Sequence, residues 1–493
     1  MSLRPLFLHQ ERAIAETRAS LASGHKRPMV QGPCGFGKTL TAAHIIQRAL
    51  DKGKRVAFVV PRKSLIDQAV SDFACKGIRA VGVMQAYHPM TDGSMPVQVC
   101  SAQTLARRKR PDVDLVIVDE AHELHKAVLQ WMADCPKIPF IGLSATPWSR
   151  GLGKFYDDLL IAATTRELID AGYLADFVAY APSDPDLSSV STGADGDFKE
   201  DELADVMDVP TITGDIVLEW QKRGENRPRF VFCVNRKHAQ HVCERFVEAG
   251  AAAEYLDGNT PDDERRRIFA RFRSGETNVL CNVGVLTIGV DLDVRCIVDA
   301  RPTKSPIKFV QTIGRGLRTA EGKPNLRIID HAGNHLRLGR VTDIARDRLD
   351  DGKKRDSSSK KEKSEPLPKL CPECKAVLSP SARECSACGA KIIAVSQVRE
   401  AQGELIELGA RRSGEKADIA EKAAFFGELL WIVRDRGYSS GWAAHKYREK
   451  FGVWPNDPRI RCAPASPPSL KTKNWIISRQ IARAKARERV AHG

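Results

Sequence analysis

Nowhere does the chain approach the ~20 consecutive apolar residues that a membrane helix needs, so no span is expected. Its first residues, MSLRPLFLHQERAIAE, set a short apolar patch directly against charges. They offer neither an apolar signal core nor a small-residue cleavage site, which argues against secretion. A disulfide framework is also missing. The 13 cysteines are an odd number, four of them clustered between 371 and 388. The others lie mostly within apolar runs, where a thiol packs as a small hydrophobe. No short-period repeat recurs, and no nuclease constellation stands out. These absences predict a cytoplasmic protein.

What is present begins with charge. Lys and Arg number 77 against 62 Asp and Glu, net +15, a balance that suits a polyanionic partner. The hydrophobic content of 42% is enough for true cores, and 493 residues suggest three or four domains at ~100–200 residues each. Apolar β-branched runs at 55–61, 114–120 and 139–146 lack alternation, as buried parallel strands do, and helix-like stretches separate them. They predict a parallel α/β domain over 1–165. Similar runs at 229–235, 277–286, 295–301 and 326–332 predict a second over 210–345. Between them, 166–209 is rich in Ser, Asp, Gly and Pro and reads as a connecting or inserted segment. Residues 350–369 read as a disordered linker, 370–392 as a small cysteine unit, and 393–493 as a helical, basic accessory region.

The stretch QGPCGFGKTLTAA, residues 31–43, fits a phosphate loop: Gly32, four residues that include Gly35, then Gly37, Lys38 and Thr39. Glycines let backbone N–H groups converge on phosphate oxygens, the lysine pairs with the β- and γ-phosphates, and the threonine ligates Mg²⁺. The helix that follows directs its positive end at the same anion. About 80 residues later, an apolar strand ends in Asp119 and Glu120. Such a pair can divide labour, Asp119 holding Mg²⁺ and Glu120 orienting and deprotonating a water.

With these residues on view, the chain resembles the superfamily 2 helicases and translocases. Asp119-Glu120-Ala121-His122 resembles a DEAH box, LSAT (143–146) motif III, VLTIGVDL (285–292) motif V and QTIGRGLR (311–318) motif VI. VVPRKSLIDQ (59–68), SAQTL (101–105) and FVFCVN (230–235) are similar to motifs Ia, Ib and IV. The resemblance implies two tandem RecA-like domains with ATP in the cleft between them. It implies Gln10 reading adenine, with Phe7 near the base or in the core, and Gly289 and Asp291 on the sugar side. Arg315 and Arg318 would reach the phosphates from the second domain, and Gln311, His122, Ser144 and Thr146 would relay nucleotide state. Arg62, Thr104, Asn235 and Thr287 would contact the nucleic-acid backbone, with little sequence preference.

Cys371-x-x-Cys374 and Cys385-x-x-Cys388, ten residues apart, suit a structural Zn²⁺ held by four thiolates; a redox dithiol would not need the second pair. Beyond the ribbon, Phe425, Phe426, Leu429, Leu430 and Val433 repeat at helical spacing, as a packing face does. The aromatics of 437–455 either build a small core or stack on unpaired bases. The whole plan resembles RadD-like DNA-repair helicases and their phage-encoded relatives. That resemblance implies a DNA-stimulated ATPase in a bacterial cell or phage-infected host, on single-stranded or forked DNA. A single-strand-binding or recombination protein would be a further partner. An RNA helicase, an ATP-driven remodeller or annealing factor that does not unwind, and the motor subunit of a restriction system stay open as alternatives.

Overall fold

Every strand of the two large sheets pairs in parallel, and most are buried along their whole length. This is why the strand segments read as unbroken apolar runs instead of alternating ones. The computed structural model describes residues 3–85, 87–286, 292–353, 367–392, 418–439, 441–476 and 479. Thr287, Gly289 and Asp291 therefore lie outside the described residues, as do 354–366 of the linker and 393–417. The chain divides into two units, Met1–Val395 and Ser396–Gly493.

In the first unit, one sheet holds β1 (Pro28–Gln31), β2 (Val56–Val60), β3 (Val81–Val83), β4 (Val97–Ser101), β5 (Leu115–Val118), β6 (Phe140–Ser144) and β7 (Asp158–Ile161), in the order β3-β4-β2-β5-β6-β1-β7. Such crossovers need helices on both faces. One of them, Ile66–Cys75, sends Phe73 edge-on against Phe58 of β2 at 4.8 Å. Each such ring contributes ~1.5–3 kcal/mol on burial. On the other face Trp131 meets Phe140 at 5.6 Å. The carboxyl ends of β1, β5 and β6 lie side by side and carry the phosphate loop, Asp119-Glu120 and Ser144.

The second sheet holds β8 (Phe177–Tyr180), β9 (Arg229–Phe232), β10 (Ala253–Leu256), β11 (Val279–Asn282), β12 (Cys296–Asp299) and β13 (Leu326–Asp330), in the order β10-β11-β9-β12-β13-β8. The segment read as connecting, 166–209, thus supplies an edge strand, β8, paired with β13 from Phe177↔Leu326 onward. Four residues flanked by loop composition gave no periodic signal; the open edge of β13 supplies the order instead. The remainder of that segment is also structured. Helix Glu200–Met207 packs Leu203 and Met207 beside Val234, and Asp197 is buried.

After β13 the chain returns to the first lobe. Arg346 Nη1 donates to the Trp148 carbonyl at 3.0 Å, and Asp350 Oδ1 accepts from Gly151 N at 2.8 Å. The linker assigned to 350–369 therefore begins with a residue bound to the first lobe.

A two-stranded ribbon, β14 (Lys369–Leu370) and β15 (Val377–Leu378), brings the four clustered cysteines together. It docks on the open edge of β8. Ala181 N donates to the Lys375 carbonyl at 3.1 Å, and Arg223 Nη1 donates to the Cys374 carbonyl at 2.6 Å. Tyr180 joins the ribbon's small core with Cys371, Leu378 and Cys385. An edge strand with unpaired backbone groups is a liability, and the ribbon covers it.

The second unit is built of helices Ile419–Arg436, Gly441–Phe451 and Pro458–Arg461. Phe425, Phe426 and Leu429 are buried with Tyr447 and Ile460, while Leu430, Val433 and Trp442 pack on them. The helical stripe and most of the aromatics form a core; Trp454 keeps 39% of its surface exposed. Among the described residues, no helix is long and apolar enough to cross a membrane.

Candidate nucleotide site between two lobes

The phosphate loop leaves β1 at Gln31, and Gly32 N donates to the Ser144 carbonyl of neighbouring β6 at 2.9 Å. Gly37 is left-handed, φ 86°, and forms the N-terminal boundary of helix Lys38–Leu50. Only glycine takes that conformation without strain. Helix-start N–H groups and the loop then face one point, and no acidic residue occupies the helix's first turn. The Lys38 ammonium lies 3.3 Å from the Gly32 carbonyl, drawn over the loop, and Thr39 follows in the same turn.

Gln10 lies on helix Leu8–Ala22, only 2% exposed. Its Oε1 accepts from Phe7 N at 3.0 Å and its Nε2 donates to the Phe36 carbonyl at 2.9 Å. The glutamine therefore ties the amino-terminal helix to the phosphate loop. Phe7 keeps 51% of its surface, its ring 4.8 Å from that of Tyr173.

Asp119 and Glu120 follow β5. Asp119 is half-buried, and its Oδ1 accepts from Glu120 N at 3.0 Å. Burial and the Glu120 charge push its carboxyl up to about 7, against the opposing pull of Lys38 and Arg315. Those two cations reach Asp119 from different lobes. Glu120 has φ 46°, an uncommon backbone conformation for a non-glycine residue. Its Oε2 is buried without a hydrogen bond, 3.4 Å from His122 Nδ1. A buried carboxylate oxygen with free lone pairs suits a group that accepts a proton from water.

His122 joins the lobes. Its Nδ1 is 3.0 Å from Ser144 Oγ and its Nε2 is 3.1 Å from Gln311 Nε2. The tautomer with hydrogen on Nδ1 satisfies both partners, since the amide must donate to Nε2. Burial lowers the imidazole's proton affinity, which keeps it neutral for this role. Ser144 Oγ also accepts from Thr146 N at 3.0 Å.

Gln311 lies on helix Pro306–Gly314, and Arg315 caps that helix. Gly314 abuts the phosphate loop so closely that a Cβ there would sit 2.6 Å from the Cys34 sulfur. The connecting segment enters the same seam: Leu174 bridges Arg318, and Ala175 N donates to the Leu317 carbonyl at 2.8 Å. A Cβ on Gly35 would lie 2.6 Å from Leu174 Cδ2.

The expected backbone contacts differ in their setting. Arg62 is exposed just after β2. Asn235 caps helix Arg236–Glu248, its Oδ1 accepting from His238 N at 2.9 Å. Thr104 is buried, with its hydroxyl 2.9 Å from Ser101 Oγ. A short capped turn at the end of β4 consumes the hydroxyl, which sequence pattern alone does not show.

Sequence reasoning passed over a buried acidic pair in the second lobe. Asp299 and Asp330 end neighbouring strands, and Asn334 bridges them: its Nδ2 donates to Asp299 Oδ2 at 2.8 Å, and its N donates to Asp330 Oδ1 at 3.2 Å. His335 Nδ1 lies 2.9 Å from Asp330 Oδ2. Burial and the neighbouring Asp330 push Asp299 up to about 7. Each carboxylate closes an apolar run, Asp299 in CIVDA and Asp330 in RIIDH, and that was the signal the sequence carried.

In the ribbon, Cys371 and Cys388 sulfurs are 3.7 Å apart, as are those of Cys374 and Cys385, and all four lie within 4.8 Å of one another. Thiolates on tetrahedral zinc at ~2.3 Å stand ~3.8 Å apart, so this set fits the ion.

Two family descriptions match the chain: the res subunit of type III restriction enzymes over residues 4–149, and the conserved helicase C-terminal domain over 211–320. A 51.5 kDa protein of a Lactococcus phage is 30% identical over 372 residues, covering 73% of this chain and 77% of the phage protein. IRC3 of Saccharomyces cerevisiae, named as a candidate ATP-dependent helicase, is 31% identical over 66% of this chain. The alignment spans about half of the yeast protein, 51%. Among solved structures, a fragment of a candidate HsdR subunit of a type I restriction enzyme from Vibrio vulnificus YJ016 shares the fold. Its TM-score is 0.54 at 23% identity, over 70% of this chain and 67% of that one.

Proposed function

The chain belongs to the superfamily 2 helicases, ATP-driven motors on nucleic acid, and from that premise we propose that its track is DNA and its work lies in repair, recombination or phage DNA replication. The observation that carries the motor mechanism is the seam between lobes. Gln311 meets His122 there, and Gly314 lies against Cys34.

ATP is bound by Gly32, Gly35, Gly37 and Lys38, with Gln10 and Phe7 toward the base and Gly289 and Asp291 toward the sugar. Mg²⁺, held by Thr39 and Asp119, supplies positive charge to the phosphates. Glu120 accepts the proton of the attacking water. Arg315 and Arg318 steady the charge that gathers on the transferring group, which they can do only with the lobes together. His122, Ser144, Thr146 and Gln311 convey that state across the seam. Arg62, Asn235 and Thr287 hold the strand's backbone, which gives weak sequence preference and strong salt dependence. The domain limits 1–165, 210–345 and 370–392 serve as the working division, with β8 assigned to the second lobe.

ATPase rates with single-stranded, forked and duplex DNA, and with the matching RNAs, test the track. Stimulation by DNA beyond that by RNA is expected; preferential stimulation by RNA would reverse the assignment. Strand displacement with hydrolysable and non-hydrolysable ATP separates an unwinding motor from a remodeller. The restriction-enzyme match over the first lobe favours a second reading, the motor of a restriction complex. Co-purification of a nuclease subunit from the native host would support it.

The cysteine ribbon holds one structural zinc ion. Because Tyr180 and the Cys374 carbonyl are shared with the second lobe, chelation should lower the melting temperature of that lobe as well as unfold the ribbon. Thermal melts with and without chelator measure the shift. Absence of zinc by elemental analysis of the purified chain would remove the assignment.

A further inference from the structure

A cavity of about 300 Å³ opens between the lobes, lined by His122 and Gln311 but by no residue of the phosphate loop. It is therefore a space distinct from the nucleotide site, sharing the pair that senses closure. Arg62 enters it from the first lobe; Arg301 and Lys308 enter it from the second.

The charges in this space are unequally matched. The Lys308 ammonium is held by Asp197 Oδ2 at 2.8 Å and lies 3.5 Å from Asp195 Oδ2. Asp299 accepts from Asn334 and offers the Arg301 guanidinium a Coulombic partner without a hydrogen bond. Glu123 lies 3.4 Å from His125 Nε2 and offers Arg62 a Coulombic partner without a hydrogen bond. Among the described residues, neither the Arg62 nor the Arg301 guanidinium makes a hydrogen bond or ion pair. Glu123 and Asp299 face these two guanidiniums through Coulombic attraction alone, so the hydrogen-bonding edges of both stay available to a further anion. A planar guanidinium suits the paired oxygens of a phosphate. The wall also includes Phe232 and Ile307, apolar surface that suits the carbon face of a sugar.

We propose that Arg301 is the second-lobe counterpart of Arg62, and that the two grip a single phosphodiester of the tracked strand across the seam. The inference rests on the nucleic-acid motor reading and adds a residue that reading does not name. Occupancy of this grip draws together the lobes whose contact is read by His122 and Gln311, so strand binding and hydrolysis are linked through one cavity.

The test is equilibrium binding of a labelled oligonucleotide to the full chain across a salt series. Arg301→Ala should weaken binding roughly tenfold, equally for all base compositions. It should lower the slope of log affinity against log salt by about 0.7, one single-strand phosphate contact. On the DNA side, a neutral methylphosphonate is moved along the strand. One position should weaken binding to the unmodified protein and make no difference to Arg301→Ala. That comparison needs one wild-type response as well, so a misfolded variant, revealed by its melt, is replaced by Arg301→Gln. If Arg62→Ala lowers the slope while both Arg301 variants leave it unchanged, the proposal falls and the motor reading stands. If the unmodified protein binds no nucleic acid, the motor reading itself falls. Inorganic phosphate that competes at millimolar concentration only through Arg301, with no methylphosphonate-sensitive position, would assign the cavity to free phosphate and overturn the proposal.

Discussion

Arg315→Ala should keep ATP binding and lose turnover by ~10³–10⁵-fold, the contribution of an arginine that reaches a transferring phosphoryl group from outside its own lobe. The expectation follows from position. Arg315 directly succeeds Gly314, whose backbone lies against Cys34 of the phosphate loop, and its charge is felt at Asp119. Ground-state binding rests on the first lobe, so a fluorescent ATP analogue should bind the variant with nearly unchanged affinity. Arg315→Lys should recover little, because one ammonium does not span two oxygens. A second consequence has a definite sign. Arg315 helps hold down the Asp119 pKa, which already stands at about 7. Without it, that pKa rises, and the residual rate should reach its plateau at higher pH than in the parent. Equal loss of binding and turnover would contradict the finger role.

The two parallel sheets were legible because their strands are continuous apolar runs, and the phosphate loop because glycine spacing has one strong structural meaning. Gly37 takes a left-handed conformation as its place before Lys38 demands. The partnership of Gln311 with His122 joins residues 189 positions apart. No local pattern holds such a contact; the family resemblance pointed to both residues. Other features had no legible cause. β8 is four residues of loop-like context ordered by the edge of β13. Asp197 reads as one more acid in a polar insert, yet it is buried and binds Thr303, Lys304 and Lys308. Thr104 stands in the expected motif, and its hydroxyl is hydrogen-bonded to Ser101 at the start of a capped turn. In each case the deciding term is tertiary: an unpaired edge, a buried counter-charge or a cap.

Lys38→Ala should reduce both ATP affinity and turnover, the latter by at least ~10²–10³-fold, the scale of removing one positioned donor from a developing charge. This separates it from Arg315→Ala, which spares binding. Two effects combine. The ammonium lost from above Gly32 no longer pairs with the outer phosphates. Its removal also takes away the first cation opposing burial and Glu120 at Asp119. Asp119 then binds a proton at neutral pH and presents a weaker ligand to a divalent ion. The second effect has its own readout: raising the pH should restore part of the Mg²⁺ affinity of Lys38→Ala, measured by titration, while leaving its turnover low. Nucleic-acid-stimulated ATPase at the parent rate in Lys38→Ala would place the catalytic site elsewhere, whatever the geometry of the seam.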